Sequence, residues 1–422
     1  MKIAFVFPPM WSPHSDGSLQ IWNREVATRL AKSAEILVYS GRFSPESPGS
    51  VNGVQHRYFS TTWDERFLRL FRSIRKFFAA GPLFPSDFWY LGYYLKVALD
   101  LRKQGRDVAH VHYYPQFAAL IKTFNPRVRV ILHMHGEWLT QVNFRNLRSR
   151  LRRLDLVVSC SEFVTRAVRS AFPAIADCCK TVPMGLAPED FSSAAARSRD
   201  YSSNKLLCVG RISPEMGVHV LLEAFELVIR QFPDATLTIV GPEWISPRGD
   251  ITDLSLDKDV IAGLEPFYNG RYLEQLRERL SPAAAERITF AGLVAHHDVP
   301  SFYEAADIYV CPSLYESFGV SVVEAMAASL PVVATRVGVV PELITHRRNG
   351  LTVDANNAQA IADAIGELFQ NPALRHSIAS AARETVGTQF SWETICASLT
   401  RMYQSVPDGR EASLEYSQSA KG

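Results

Sequence analysis

Glu316 and Glu324 are two carboxylates with seven residues between them, at the start of a predicted helix. Residues 317–319 form a poor helix interior and residues 320–328 a good one, so Glu316 should precede the helix and Glu324 lie about one turn inside it. The first N–H groups of a helix lack intrahelical acceptors and suit a phosphate. The two carboxylates would accept hydrogen bonds from hydroxyl groups. The pattern therefore predicts a site for a sugar joined to a phosphate, although a surface helix with two exposed acids has the same spacing.

Length and composition indicate two globular domains. The 422 residues are too many for one core, and 47% hydrophobic and 21% charged residues are ordinary values for a folded protein. A net charge of +2 gives no reason to expect a nucleic-acid partner. The six cysteines lack CxxC spacing, the first residues do not resemble a signal peptide, and no apolar run is long enough to span a membrane. We therefore expect a cytoplasmic protein.

Short apolar runs alternate with amphipathic segments along the whole chain. This alternation is typical of parallel sheets covered by helices, and the small, polar residues 187–204 indicate a linker between two such domains. A cleft between the domains is the expected place for a ligand. The predicted strands are 2–7, 35–39, 54–59, 107–112, 128–133 and 156–160 in the first half, and 205–209, 236–240, 287–290, 308–311, 331–334 and 351–353 in the second.

Five sequence elements follow one another in the second half. They are Gly210-Arg-Ile-Ser-Pro-Glu-Met-Gly217 with residues 218–225, Phe290-Ala-Gly-Leu-Val294, Ala306-Asp-Ile-Tyr-Val-Cys-Pro-Ser313, Glu316 to Glu324, and Ala325-Met-Ala-Ala-Ser-Leu-Pro-Val-Val333. Their order and spacing resemble the nucleotide-sugar-binding half of family 4 glycosyltransferases, and 107–112 and 132–136 extend a looser resemblance to the first half. The resemblance implies a GT-B fold, in which two Rossmann-like doubly wound parallel-sheet domains face each other across a cleft. The implied domains are 1–190 and 205–390, with a helix at 391–403 that crosses back to the first domain and a flexible tail at 404–422.

The resemblance also implies roles for individual residues. Glu316 matches the acid that holds the donor sugar, Glu324 the acid that binds the ribose, and Arg211 the arginine on the diphosphate. His135 matches the histidine near the reacting sugar, so His135, Glu316 and Arg211 are the expected catalytic residues, whereas His112 and His133 should be structural. The remaining expected donor contacts are Gly17 near the phosphates, Gly292, Leu293 and Val294 along the base, and Phe318, Gly319 and Val320 at the sugar and distal phosphate.

The implied reaction is a hexosyl transfer that retains the anomeric configuration and needs neither metal nor other cofactor. The donor would be a nucleotide sugar, and the acceptor a glycan, a lipid-linked carrier or a small molecule. The sequence Asp257-Lys-Asp259 matches the metal motif of another glycosyltransferase class, but its place in a long polar segment favours solvated charge. No GxGxxG follows the first strand, which argues against a nicotinamide dehydrogenase.

Met216 stands where the family usually has a lysine on the diphosphate. A thioether cannot neutralise an anion. Three alternatives follow: another cation reaches the site, the donor differs, or the chain is a GT-B-folded nucleotide- or glycan-binding protein with little or no turnover.

Residues 66–78 combine five basic residues with an apolar, aromatic helical face. Such a helix could lie on the anionic inner face of a membrane, or it could pack on its own domain beside a solvated basic face. Peripheral membrane contact is therefore a second hypothesis about the partners.

Overall fold

The computed structural model describes residues 1–10, 17–42, 49–75, 83–191, 201, 203–245, 258–387 and 389–406, with the backbone alone at 72–75, 258 and 259. The chain divides into two compact units, one formed by Met1–Met184 with the residues from Trp392 onward, the other by Gly185–Ser391. The division thus falls just before the segment predicted as a linker, of which residues 192–200 and 202 lie outside the described residues, as do 407–422 of the expected tail.

The N-terminal unit is built on one sheet with the strand order β3-β4-β2-β1-β5-β6-β7-β8. Its strand pairs are parallel except β3 with β4. The order reverses between β1 and β5, where the connections change direction as in doubly wound folds. The strands are β1 (Lys2–Val6), β2 (Glu35–Gly41), β3 (Ser50–Val51), β4 (Val54–Phe59), β5 (Val108–His112), β6 (Arg129–Met134), β7 (Leu156–Ser159) and β8 (Cys179–Thr181).

The helices of this unit connect the strands, and the last helix of the described chain joins them. That helix, α17 (Trp392–Ser405), packs against α1 (Ser18–Leu30), and buries Ile395, Leu399 and Tyr403. The other helices are α2 (Thr62–Arg75), α3 (Leu91–Gln104), α4 (Pro115–Phe124), α5 (Trp138–Gln141), α6 (Leu147–Leu151) and α7 (Glu162–Ala171).

The second unit contains an all-parallel sheet with the order β11-β10-β9-β12-β13-β14. The order reverses between β9 and β12, so the loops that leave these two strands open the crevice in which ligands of such sheets bind. The strands are β9 (Lys205–Val209), β10 (Thr236–Val240), β11 (Ile288–Gly292), β12 (Ile308–Cys311), β13 (Val332–Thr335) and β14 (Leu351–Val353).

Helices of the second unit pack on this sheet around a core of aliphatic and aromatic side chains. The helices are α8 (Val218–Gln231), α9 (Lys258–Leu264), α10 (Tyr272–Glu278), α11 (Pro282–Ala285), α12 (Val299–Ala305), α13 (Val320–Ala327), α14 (Val340–Leu343), α15 (Ala358–Gln370) and α16 (Pro372–Val386).

The fold class predicted from the sequence, two Rossmann-like doubly wound parallel-sheet domains, is confirmed. Each predicted strand is present within one or two residues of its expected bounds, whereas β3 and β8 were not predicted. The described residues between β10 and β11 form α9, α10 and α11, where the sequence indicated a long polar segment. In the described part of the chain, no helix has the length and apolarity needed to cross a bilayer.

Candidate functional site

The first predicted site element, the N-terminus of α13, has the geometry expected from the sequence. Gly319 caps the helix with a φ of 77°, in the left-handed region that glycine tolerates best. Glu316 lies just before the helix, and its Oε1 accepts a hydrogen bond of 2.9 Å from the Gly319 N–H. Phe318 is buried against Phe390, with ring centroids 5.9 Å apart. The loop is therefore fixed before any ligand arrives, and the first N–H groups of α13, beginning with Val320, form the helix N-terminus.

The backbone of Glu316 is held by a second loop. The Val339 N–H donates to the Glu316 carbonyl at 3.0 Å, and Gly338 passes so close that an added Cβ would lie 1.8 Å from that oxygen. Only glycine fits at position 338, where φ is also positive at 52°. This loop therefore fixes the position of the Glu316 backbone, from which the side chain extends.

Glu316 and Arg211 lie within electrostatic reach of each other. Burial raises the pKa of the Glu316 carboxyl above its ordinary value, while the Gly319 N–H and then the Arg211 charge oppose that rise. A partly desolvated carboxyl beside a cation and a helix N-terminus is a common arrangement at functional sites.

Arg211 follows β9 and is held by two neighbours. Its Nη2 lies 3.4 Å from the buried Glu215 Oε1, and its guanidinium carbon stacks 5.0 Å from the centroid of the Trp244 ring. Its Nη1 is buried and has no hydrogen-bond partner among the described residues. These contacts leave donor capacity on an oriented guanidinium, which suits an anion.

Met216 lies in the same loop as Arg211, at the end of a short 3-10 turn, Pro214–Met216. Its methyl carbon is 3.6 Å from where a Cβ on Gly210 would lie, so its side chain rests beside the residue that precedes Arg211. This loop is tied to the β12 loop, because the Leu314 N–H donates to the Glu215 carbonyl at 2.9 Å. Met216, at which the sequence departs from the family pattern, therefore lies close to Arg211, the basic residue of the same loop.

Glu324 is inside α13 and only 5% exposed. Its Oε2 accepts a hydrogen bond of 2.9 Å from the Tyr303 hydroxyl, and its Oε1 lies 3.4 Å from His296 Nε2. His296 belongs to the segment that follows β11, which connects Glu324 to the loop predicted to lie along the base. Neither Tyr303 nor His296 was expected, because they precede Glu324 by 21 and 28 residues and belong to other elements.

The loop after β11 carries Gly292, Leu293 and Val294. The Gly292 carbonyl accepts from the Gly241 N–H at 2.8 Å, which holds the turns after β10 and β11 together. Leu293 is 80% exposed and directly follows a strand whose own residues are only partly buried or exposed. An exposed apolar side chain in this loop offers an apolar contact to a planar group.

Two of the expected site residues, Gly17 and His135, belong to the N-terminal unit. Gly17 is the N-cap of α1, and its carbonyl accepts from the Ile21 N–H at 2.9 Å, whereas the loop residue Asp16 lies outside the described residues. His135 directly follows β6, and its Nε2 lies 3.0 Å from His112 Nδ1. Burial lowers the pKa of His135 to about 3, so its imidazole is neutral at physiological pH.

Four imidazoles form one layer on this sheet, here called the histidine layer: His110, His112, His133 and His135. His110 Nε2 lies 3.0 Å from His133 Nδ1, and His110 Nδ1 lies 2.8 Å from the Tyr403 hydroxyl of α17. Burial lowers the pKa of His110 to about 3 and those of His112 and His133 well below their ordinary values. As predicted, His112 and His133 are buried within strands.

Three histidines of this layer lie close enough together to be compared with a metal site. Nitrogens of His110, His112 and His133 come within 4.8 Å of one another. His110 engages both ring nitrogens, with His133 and with Tyr403, whereas His112 and His133 each have a buried Nε2 without a hydrogen-bond partner among the described residues. In the Asp257 to Asp259 motif, Asp257 and the side chain of Asp259 lie outside the described residues.

Two family models match consecutive parts of the chain. The model described as "Glycosyltransferase Family 4" matches residues 20–190, and that described as "Glycosyl transferases group 1" matches residues 193–385. The chain is similar to the spore coat protein SA of Bacillus subtilis, with 24% identity over 96% of this chain and 99% of that protein. It is also similar to a GDP-mannose-dependent alpha-(1-6)-phosphatidylinositol monomannoside mannosyltransferase of Mycobacterium tuberculosis, with 28% identity over 64% of this chain and 68% of that protein.

Solved structures agree with the fold. HepE of Anabaena, solved in complex with UDP and glucose, superposes with a TM-score of 0.69 at 20% identity, over 96% of this chain and 100% of that chain. The sequence elements, the two sheets and the matching models lead to one conclusion: this chain belongs to glycosyltransferase family 4 and is a glycosyltransferase of the GT-B fold.

Proposed function

We propose that this glycosyltransferase transfers a hexose from a nucleoside-diphosphate sugar to an acceptor hydroxyl, with retention of the anomeric configuration and without a metal ion. The observation that carries the proposal is that Glu316 lies at the N-terminus of α13, while the loop of Arg211 is tied through Glu215 to Leu314, just before Glu316. A helix N-terminus and an arginine together supply positive charge for a diphosphate, and Glu316 accepts hydrogen bonds from sugar hydroxyls.

The nucleotide would extend from this region along α13. In the proposal the phosphates bind Arg211 and the N–H groups around Phe318, Gly319 and Val320. Glu324 binds the ribose hydroxyls. The base lies along Gly292, Leu293 and Val294, a choice supported by the exposure of Leu293 and by the contact between His296 and Glu324.

The chemistry follows from the charges. The bond between the anomeric carbon and the diphosphate oxygen breaks, and its electron pair leaves with the phosphate, so that Arg211 and α13 would stabilise the negative charge that develops there. The acceptor hydroxyl adds to the same face of the sugar cation, and its proton passes to the leaving phosphate oxygen. Glu316 would orient the sugar during this step.

The N-terminal unit contributes His135 and Gly17 in this proposal. His135 Nδ1 is buried and lacks a hydrogen-bond partner among the described residues, and a sugar hydroxyl would supply one. The His112 contact holds the ring, and the low pKa keeps it neutral, so His135 would act through hydrogen bonding rather than as a charge. Gly17 would bring the backbone near the phosphates.

The acceptor is a glycan, a lipid-linked carrier or a small molecule, and we propose a cytoplasmic enzyme that reaches it at the inner membrane surface. Trp63, Phe67 and Leu70 lie on one exposed face of α2, with Trp63 75% and Leu70 62% exposed. The Arg66 guanidinium lies over the Trp63 ring at 5.6 Å. Exposed aromatic side chains among arginines suit an anionic bilayer surface. Residues 76–78 of the predicted membrane helix lie outside the described residues.

The test is a panel of nucleotide sugars. HepE was solved with UDP and glucose, and the mycobacterial relative is named as GDP-mannose-dependent, so UDP-glucose and GDP-mannose are the first donors to compare. We expect one donor class to raise the melting temperature and to be hydrolysed slowly, with the sugar released first as the anomer that the donor carried. Inverted product would contradict retention. Binding without any hydrolysis or transfer would favour the alternative suggested by Met216, a nucleotide- or glycan-binding protein with little or no turnover.

A further inference from the structure

The two oxygens of the Glu324 carboxylate have different surroundings. Oε2 faces the hydroxyl of Tyr303, which is fully buried, while Oε1 faces His296, whose side chain is 32% exposed. A buried carboxylate needs hydrogen-bond donors, and here one oxygen is supplied by a group that cannot move into solvent. The other oxygen therefore faces a partly exposed side chain.

Tyr303 is held in place both through its ring and through its hydroxyl. It belongs to α12, and its ring packs 5.7 Å from Phe191 and 5.8 Å from Tyr309. Its hydroxyl also lies 3.2 Å from the Ser321 carbonyl in the first turn of α13. Burial raises the pKa of Tyr303 well above its ordinary value, so the hydroxyl keeps its proton and remains a donor. One phenol therefore fixes the carboxylate and the helix that carries it.

We infer that Tyr303 is a positioning residue for the nucleotide, holding Glu324 so that Oε1 receives the ribose hydroxyls, and that His296 is a second contact to the same ribose. This inference rests on the proposed function, because it needs Glu324 to bind the ribose. His296 Nε2 lies 3.4 Å from Oε1, so one ribose hydroxyl can contact both groups. The two neighbouring ribose hydroxyls would then contact the oriented Glu324 Oε1 and the His296 ring nitrogen. Loss of either hydroxyl would remove one of these contacts from the site.

The chain offers matched controls for both residues. Tyr309 is also a buried phenol against α13, but its hydroxyl lies 2.7 Å from Ser321 Oγ and does not contact the carboxylate in the described structure. His297 is the next residue after His296, and its side chain is 81% exposed. Tyr309→Phe and His297→Ala therefore remove the same chemical groups without touching Glu324.

The experiment measures binding of UDP and GDP, their 2′-deoxy forms and inorganic pyrophosphate to the full chain by titration calorimetry. We expect the natural protein to prefer the ribonucleotide about tenfold or more, as a site built for a hydroxyl does. Tyr303→Phe and His296→Ala should each reduce this preference at least threefold, whereas the two control variants should keep it. Pyrophosphate binding should be unchanged in Tyr303→Phe and His296→Ala, which shows that the phosphate site remains folded.

Two results would overturn the inference in distinguishable ways. If the natural protein prefers the ribonucleotide and both test variants keep the full preference, Tyr303 and His296 have no such role, while the proposed function stands. If the natural protein binds neither UDP, GDP nor pyrophosphate, the proposed function fails and this inference with it.

Discussion

At the scale of single residues, the two carboxylates should fail in different ways when they are removed. Glu324→Ala should weaken nucleoside-diphosphate binding, because the ribose loses its acceptor, whereas Glu316→Ala should mainly lower turnover, because Glu316 would contact the sugar that reacts. Titration with the free nucleoside diphosphate and a transfer assay separate the two effects. If both variants bind the nucleotide like the parent, the role given to Glu324 is wrong.

Met216 offers a gain-of-function prediction. Its side chain rests beside Gly210, the neighbour of Arg211, so Met216→Lys would add a second cation near the proposed diphosphate. We expect nucleoside-diphosphate binding to tighten by about tenfold or more, the usual value of a charge-assisted hydrogen bond.

Met216→Leu is the control for this prediction, since it keeps the volume and adds no charge. A large rise in turnover as well as binding would mean that the natural enzyme is impaired. No gain in either measure would show that another basic residue already fills the role.

The sequence was sufficient to predict site residues that lie close to one another along the chain. Glu316 and Glu324 could be placed because a helix start is visible in the change from residues 317–319 to 320–328. Tyr303 and His296 could not, because each meets Glu324 only after the sheet has brought separate elements together. The loop at Gly338 was hidden for the same reason, since its closeness to Glu316 exists only in the folded unit.

At the scale of elements, α2 should behave as a membrane-binding helix. Liposomes with anionic lipid should pull the protein down at low salt and release it at high salt, because screening removes the electrostatic part of the attraction. Trp63→Ala with Leu70→Ala should weaken the binding, since these two side chains are the more exposed part of the apolar face.

Leu99→Ala is the matched control for this prediction, because Leu99 is an exposed leucine on α3. Indifference to lipid charge would leave α2 as a helix with a solvated basic face and would favour a soluble acceptor.

The histidine layer should make the N-terminal unit sensitive to acid. The folded unit holds His110 and His135 at pKa values of about 3, whereas an unfolded chain would hold them near 6.5. The unfolded state therefore binds more protons between these values, and the free energy of unfolding should fall as the pH falls from 6.5 towards 3, by up to about 1.4 kcal/mol per pH unit for each such histidine.

Urea unfolding at a series of pH values measures this dependence. His112→Asn should lower the stability at every pH but reduce the slope, because one group that titrates on unfolding is gone. An unchanged slope would show that the layer takes up protons while folded.

Strands and helices with long residue patterns could be predicted from the sequence, whereas the shortest ones were missed. The central strands β1, after Lys2, and β12 are continuous apolar runs, which identify them directly. β3 has two residues and β8 has three, and edge strands of that length carry no pattern of their own. Between β10 and β11, the helices α9, α10 and α11 have four to seven residues each, too short for periodicity to distinguish them from loops.

At the scale of the whole molecule, the chain passes from one unit to the other twice, after Met184 and after Ser391. The return of α17 to the N-terminal unit was implied by the family resemblance, since an amphipathic final helix does not indicate by its pattern which domain it covers. In the structure Arg29 Nε of α1 donates to Glu393 at 3.0 Å, and Arg129 Nη1 donates to the Tyr403 carbonyl at 2.8 Å. The last helix is thus part of the core of the first unit.

A chain that ends at Ser391 should therefore lose the N-terminal unit and keep the other. Without α17, the face that buries Leu399 and Tyr403 is exposed, and His110 loses the hydrogen bond between its Nδ1 and Tyr403, each of which costs roughly 1–3 kcal/mol. We expect the chain that ends at Ser391 to show a melting transition at lower temperature that belongs to residues 1–184, while the unit 185–391 melts as in the full chain. This chain should still bind a nucleoside diphosphate, because the residues proposed to contact the nucleotide, except Gly17, lie within the second unit. A chain that ends at Val406 keeps α17 and is the control. Equal melting of the two truncated chains would show that α17 contributes little to the first unit, and loss of nucleotide binding by the 391-residue chain would mean that the site needs more of the N-terminal unit than is proposed.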